Sequence, residues 1–370
     1  YYAFDSRYGG QGMAYFLFSD ILGDHKFQIG TEMVVDLQRS DYFLLYRLLP
    51  YKVDYNIAFY HLAYQYTPYN TYYIPSQSSL YQNFGLSFTA SNPMNRFVRF
   101  DIGIDYNHII KSTINTLFDE NGYPYDEKID HVKSFSTLIP SLKYIWDNAI
   151  WSYLHPIEGS RYYLKYRTSP GINEKSLLFH SATVDYRKYF RLGNAVSIAF
   201  KAFGGASWGD NAQKFRLGGV PWLFSSDPYD ERYYGDQNRD LSLEELYFSE
   251  YVMPLRGTKV SNKYGKNVFL GNVELRLPFL LYYFPTIKYF GQINGVIFSD
   301  IGVTWDNEFP DFFNKNSLEN NNTGWLMSYG FGPRFIFLGL PWQLDYAWEY
   351  NPNSGSISGR KWYLSIGVDY

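Results

Sequence analysis

The six histidines, His25, His61, His108, His131, His155 and His180, are the side chains best placed to move protons near neutral pH, and they are scattered without an HExxH pair. Neither a metalloprotease nor a serine hydrolase is expected, and no catalytic residue is assigned. Gly257 to Lys266 ends in Gly-Lys but has neither the spacing nor the Ser/Thr of a phosphate loop, and Gly330-x-Gly332 lacks the third glycine of a dinucleotide turn. Both read as strand and loop glycines. The acidic run Asp227, Asp230, Glu231, Asp236, Asp240, Glu244 and Glu245 has the oxygen atoms to chelate a divalent ion, but its spacing is not that of a calcium loop, and Arg232 and Arg239 dilute its charge. A solvated loop is the expectation, with no metal and no bound cofactor. Zero cysteines exclude thiol catalysis, Cys-ligated zinc and disulfide frameworks together.

The surrounding composition is dominated by rings: 39 Tyr, 30 Phe and 9 Trp make up 21% of the 370 residues, more than a compact interior uses. Rings of this kind suit a boundary with one wet side. No stretch approaches the roughly 18–20 uninterrupted apolar residues of a membrane helix, so a helical bundle is excluded, whereas a barrel of alternating strands is not. With 33 basic and 36 acidic residues the formal charge is −3, which gives no footing for nucleic acid or a polybasic anchor.

Parity along the chain supplies the architecture. From 361 to 370, Trp362, Leu364, Ile366, Val368 and Tyr370 fall opposite Tyr363, Ser365, Gly367 and Asp369; from 342 to 350, Trp342, Leu344, Tyr346, Trp348 and Tyr350 fall opposite Gln343, Asp345, Ala347 and Glu349. One face is apolar and ring-rich, the other small or charged. That distribution suits lipid outside and a hydrated lumen inside, and predicts an all-β, 16-stranded antiparallel transmembrane barrel. The expected strands are 12–20, 25–36, 41–49, 53–64, 79–90, 96–110, 133–148, 160–168, 178–190, 195–206, 213–219, 266–278, 291–306, 324–337, 342–350 and 361–370. Residues 1–11 are expected to connect from an upstream periplasmic region, with 12–370 forming the barrel. Counting from inside places the 46-residue segment 220–265 outside, as an outer loop too long to be structureless and idle. The inner connectors 65–78 and 111–132 are long for such barrels.

One stretch is specific. Residues 254–279, from Pro254-Leu255-Arg256-Gly257-Thr258-Lys259 through Gly271-Asn272-Val273-Glu274-Leu275-Arg276-Leu277-Pro278-Phe279, resemble the Arg-Gly loop motif and following strand of the outer-membrane protein assembly and translocation barrels, the superfamily that includes BamA, TamA and the two-partner secretion pores. Phe298-Ser299-Asp300-Ile301-Gly302 looks like that family's Asp-x-Gly strand. Gly332-Pro333-Arg334 through Asp345-Tyr346-Ala347 looks like its penultimate hairpin, and Phe215-Arg216-Leu217-Gly218-Gly219 like the strand that leads into the loop. Weaker parallels at Phe18 to His25 and Asp147 to Arg161 are similar to the subgroup whose barrel follows a periplasmic β-propeller. Thr258 stands where the family usually has an aromatic residue.

The resemblance implies a bacterial outer-membrane protein that assists insertion or translocation of outer-membrane proteins or lipids. Its partners would be phospholipid and lipopolysaccharide, unfolded client proteins and other envelope-complex subunits, and it would not be an enzyme. It also implies that Arg256 and Gly257 belong to a loop folded back into the lumen, where Glu274, Asp300 and Asp345 share inward parity. A lumenal arginine needs a carboxylate, so Arg256 is expected to lock onto Asp300 or Asp345; the alternative is a ladder of charges with Arg256 in water. Gly9, Gly10 and Gly12 read either as a weakened first strand at a lateral seam, open to an incoming strand, or as a flexible connector. Gly367 to Tyr370 looks like the C-terminal signal of barrel clients. The rival reading is an anchoring barrel that keeps the fold without insertase activity; a passive porin is opposed by the long loop.

Overall fold

Side chains of alternating burial run along most strands of the computed structural model, which describes residues 2–5, 9–33, 37–66, 77–152, 154–172, 176–193, 196–226, 247–278, 293–312, 323–351 and 355–367. The acidic run 227–245 and the last three residues, Tyr370 included, lie outside the described residues. The chain forms two units, residues 1–143 with 167–179, and residues 144–166 with 180–370.

The first unit contains β1 (Tyr2–Asp5), β2 (Gly9–Ser19), β3 (His25–Met33), β4 (Asp41–Leu48), β5 (Asp54–Tyr66), β6 (Gln77–Pro93) and β7 (Val98–Phe118), with a 3-10 turn at Leu37–Arg39. Each strand pairs antiparallel with the next. The expected connector 1–11 thus holds strand at 2–5 and from Gly9 onward. The expected connector 111–132 is a correction: β7 runs to Phe118 and β8 (Pro124–Asp147) starts six residues later, so most of it is strand. Asp119 makes this tight turn, its N–H donating to Tyr123 O at 2.8 Å and its carboxylate accepting from the N–H groups of Asn121 and Tyr123. At 21 and 24 residues, β7 and β8 are about twice as long as a tilted strand needs to cross a bilayer.

Before the second unit's main ladder, the two-residue β9 (Ile150–Trp151) pairs with the start of the 15-residue β10 (Pro156–Pro170). That ladder comprises β11 (Leu178–Arg191), β12 (Ser197–Trp208), β17 (Asn267–Leu277), β18 (Asn294–Trp305), β19 (Gly324–Phe337), β20 (Leu340–Asn351) and β22 (Lys361–Ile366), antiparallel throughout. Between them lie the short β13 (Phe215–Leu217), β14 (Phe224–Ser225), β15 (Glu250–Val252), β16 (Lys263–Gly265) and β21 (Ser356–Ile357).

The expected strand 213–219 is corrected here. β13 leaves the ladder for a separate sheet with β15, parallel, and β16, antiparallel, so β12 pairs directly with β17, Ala199 opposite Glu274. The reason is in its side chains: Phe215, Arg216 and Leu217 are all buried, whereas a wall strand keeps every second residue on the open face. Phe215, Leu217, Val252 and Leu255 pack against Phe203, Val268, Leu270 and Leu326. Each such buried side chain contributes roughly 1.5–3 kcal/mol.

In the ladder the distribution is inverted relative to a water-soluble sheet. Phe269, Val273, Ile297, Tyr329 and Phe331 are exposed while Asn272, Glu274, Arg276, Asp300, Arg334 and Asp345 are buried. The rings of Tyr346, Trp348 and Trp362 share the open face as expected, with Tyr329 stacked on Trp348 at 5.9 Å and Phe331 against Tyr346 at 5.8 Å. A face of rings opposed to a face of paired charge is the arrangement of a strand with lipid on one side. Val273→Lys, in the middle of β17, is therefore expected to lower stability in lipid bilayers by up to about 2–4 kcal/mol, while Tyr123→Lys, in the β7–β8 turn, changes little. Urea unfolding of the barrel in vesicles measures both; equal effects would remove the lipid face.

Candidate functional site

Arg256 stands just after the tip of a segment bridged to its own start: Gly219 and Leu255 exchange both backbone hydrogen bonds, at 3.2 and 2.9 Å. The loop comes this close to the polar face of the ladder because Gly302 of β18 has no side chain. A Cβ there would sit 2.8 Å from Leu217 Cδ2 and 2.9 Å from Leu255 Cδ1. The Asp-x-Gly spacing thereby acquires a physical reading. Asp300 and Gly302 point to the same face, one to hold the loop's charge and the other to admit its leucines.

The guanidinium of Arg256 is buried, and all three of its nitrogens donate to carboxylate oxygens. Nε and Nη2 donate to the two oxygens of Asp300 at 2.9 and 2.8 Å, and Nη1 donates to Glu274 Oε1 at 2.8 Å. The backbone N–H of Arg256 adds a further bond to Asp300 Oδ2 at 3.0 Å. Below it lies the ring of Phe298, with the guanidinium carbon 3.6 Å from the centroid. Glu274 is shared: its Oε2 accepts from Arg276 Nη2 at 2.7 Å and Nε at 3.1 Å, and Arg276 Nη1 donates to Pro156 O at 2.8 Å. Two arginines and two carboxylates balance, so the cluster carries no net charge. Buried pairs of this geometry resist salt, and removing one member leaves an uncompensated charge costing roughly 3–5 kcal/mol.

The structure brings Arg256, Glu274 and Asp300 together. Asp345, expected as a possible counterion of Arg256, instead lies 2.8 Å from Arg334 of the adjacent strand β19. Parity gave it the right face, but a strand two places along the ladder has a nearer cation. Gly257 adopts φ 83°, and a Cβ on it would press on Ala347 Cβ at 3.2 Å and the backbone of Trp348 and Glu349 at 3.2 and 3.3 Å, so glycine is required both for the turn and for the approach. Thr258 is fully buried, its hydroxyl donating to Leu255 O at 2.8 Å and accepting from Gly219 N–H at 3.0 Å. Where the resemblance led to the expectation of an aromatic, this chain closes the loop on itself.

Gly10 and Gly12 lie in β2, paired with Phe4 and Tyr2 of β1, so the start of that strand has a neighbour on the edge opposite β3. Gly367 follows β22, its N–H bonded to Pro341 O at 2.9 Å.

Residues that parity had not singled out complete the site. Asn272 donates to Asp300 Oδ1 at 2.8 Å and Pro254 O at 2.9 Å, and Lys201 Nζ donates to Met253 O at 2.8 Å. Asn272 shares the face of Glu274 and Arg276 and was legible on that ground; Lys201 reaches the loop from β12, which only the ladder order shows. Gly205-Ala206-Ser207-Trp208-Gly209 has the spacing of a nucleophile elbow, which the sequence reading overlooked. Ser207 is not set up as a nucleophile: its hydroxyl donates to the backbone oxygen of His180 at 2.9 Å and accepts from Gln213 N–H.

Arg256→Ala is expected to lower the unfolding temperature and to open loop 220–265 to added protease, with a stability loss of about 3–5 kcal/mol. Arg256→Lys should recover only part, since a point charge cannot span both oxygens of Asp300. Asp345→Asn should leave the loop protected. Limited proteolysis of intact barrels distinguishes the three; protection unchanged in Arg256→Ala would refute the lock.

A family model described as the Omp85 superfamily domain matches residues 40–370. No curated protein sequence matches the chain. Among solved structures, BamA from Haemophilus ducreyi lacking POTRA domains 1-3 is similar with a TM-score of 0.62 at 14% identity, over 99% of this chain and 69% of that one. CdiB from Acinetobacter baumannii is similar with a TM-score of 0.55 at 11% identity, over 100% of this chain and 58% of that one. CdiB from Escherichia coli gives 0.55 at 10% identity, over 98% and 60%. The chain spans less than two thirds of either CdiB, and at such identities the likeness is one of fold. The family match and the barrel fold agree with the inverted ladder and the docked Arg-Gly loop: this chain belongs to the Omp85 superfamily and is an outer-membrane β-barrel.

Proposed function

We propose that this barrel assists the insertion or translocation of outer-membrane proteins, or of lipids, at a lateral seam formed by its first and last strands, without catalytic chemistry or a bound cofactor. The observation that carries this is the loop of Arg256, fixed to the polar face of the ladder by buried ion pairs rather than left in water. A passive pore keeps that face hydrated for solutes, whereas a docked loop fills it and stiffens strands β17 and β18 beneath. Work on a client would then fall to backbone edges, where an incoming strand forms main-chain hydrogen bonds and needs no reactive side chain. BamA and CdiB share the fold and do not by themselves fix the client of this chain. Unfolded outer-membrane proteins and the surrounding phospholipid and lipopolysaccharide are the partners this reading names.

Two measurements test it. In planar bilayers the purified barrel should conduct little, and Arg256→Ala should conduct more as the loop lifts. Depletion of the chain in cells should lower the amount of folded outer-membrane protein or alter the lipid asymmetry of the membrane. A large steady conductance would identify a porin. An unchanged census of proteins and lipids after depletion would leave the anchoring barrel as the function.

A further inference from the structure

The last strand has both edges occupied by this chain. One edge of β22 pairs with β20, Tyr363 opposite Asp345 and Leu364 opposite Leu344. The other pairs antiparallel with β14, from a segment about 140 residues earlier in sequence, with Phe224 opposite Leu364 and Ser225 opposite Tyr363. Leu223 N–H donates to Leu364 O at 2.8 Å and Ser226 N–H to Trp362 O at 3.0 Å. Side chains extend the match: Trp362 N–H donates to Ser226 Oγ at 3.1 Å, and Ser365 Oγ to Pro221 O at 2.6 Å. The faces agree as well, for Ser225 and Tyr363 are buried together while Phe224 is exposed.

This segment is joined to the arginine lock at two points. Its first residue follows Gly219 and Val220, and Gly219 is bridged to Leu255, the neighbour of Arg256. Val220 also packs with Tyr363, Ala347, Val296 and Phe298, with Trp222 against the same cluster. Phe298 is the ring on which the Arg256 guanidinium rests. Lifting Arg256 therefore uncovers Phe298, loosens the cluster that holds Tyr363, and pulls the strand that follows Gly219.

We propose that residues 221–226 are a resident edge strand: they occupy the hydrogen-bonding edge of β22 that a strand pairing on the last-strand side of the seam would have to take, and they leave it when the loop of Arg256 is released. The partner that fits this surface is one extended segment running antiparallel to β22, in the register now held by Phe224 and Leu364. An unpaired edge is an invitation to indiscriminate pairing, and a short internal strand that can be displaced guards it at modest cost. The proposal rests on the reading that clients pair at the seam, so its test separates the two.

The chain has no cysteine, which leaves a clean background for crosslinking. Phe224→Cys with Leu364→Cys, in full-length barrel in native membranes, should be joined by mild oxidation or a short bis-thiol reagent several-fold more than Phe224→Cys with Ile366→Cys. Adding Arg256→Lys should lower that yield several-fold. While joined, the barrel should fail to assemble clients, and reductant should restore assembly. Equal crosslinking of the two pairs overturns the resident strand, and a yield indifferent to Arg256→Lys overturns its coupling to the lock. Undiminished assembly by the joined barrel, in cells where depletion does stop assembly, overturns the guard. If depletion has no effect, the proposed function fails, and occupancy of the edge is still decided by the crosslink.

Discussion

Burial of one loop arginine organises the second unit. A guanidinium with nowhere to lose its proton must find compensating charge wherever it is buried, and Arg256 finds it in Asp300 and Glu274, on neighbouring strands β18 and β17. Because Glu274 also holds Arg276, neither the loop nor the ladder can change register alone without stranding a charge. The requirement extends to small residues. Gly302 must be bare for Leu217 and Leu255 to descend, and Gly257 must turn with positive φ for the chain to pass Ala347. Thr258 then ties the two ends of the loop together.

The ladder is the environment that gives these ion pairs their value. Its outer face shows Val273, Ile297, Tyr329 and Phe331, and its polar face is covered by the loop and the small sheet of β13, β15 and β16. A surface pair in water contributes little, whereas the buried pairs of Arg256 with Asp300 and Glu274, with the ring of Phe298 against the guanidinium, are screened from solvent and salt. The two clusters are joined through the chain, because Leu255, which packs with Leu217 over Gly302, directly precedes Arg256.

Edges are the remaining constraint on any sheet. In the second unit the outer edge of β22 is paired with β14 at Tyr363 and Leu364, and in the first the edge of β2 opposite β3 is paired with β1 over its first four residues, Gly9–Gly12. In both places a short strand from the same chain satisfies backbone groups that would otherwise need water or another protein. For a barrel proposed to work through strand pairing, short internal strands are what makes such an edge both protected and available.

How much of this was legible in the sequence follows from the periodicity of a strand. Alternation with period two assigns each side chain a face, and it correctly placed Glu274, Arg276, Asp300 and Asp345 together on the polar side and Tyr346, Trp348 and Trp362 on the other. The Arg-Gly and Asp-x-Gly spacings, read as a family resemblance, named the loop and left its counterion between Asp300 and Asp345. Alternation contains no information about which strand lies next to which. Whether Arg256 would choose Asp300 or Asp345 depended on ladder order and on Arg334 standing nearer to Asp345. That Phe215–Leu217 would abandon the wall followed from burial on both faces, which a three-residue pattern cannot encode. The pairing of β14 with β22 joins residues 224 and 364, and no local propensity spans that separation. The sequence by itself determined faces, because side-chain direction is a local property of an extended backbone. Neighbours, counterions and guarded edges were decided only by tertiary structure, because each depends on where a distant segment comes to rest.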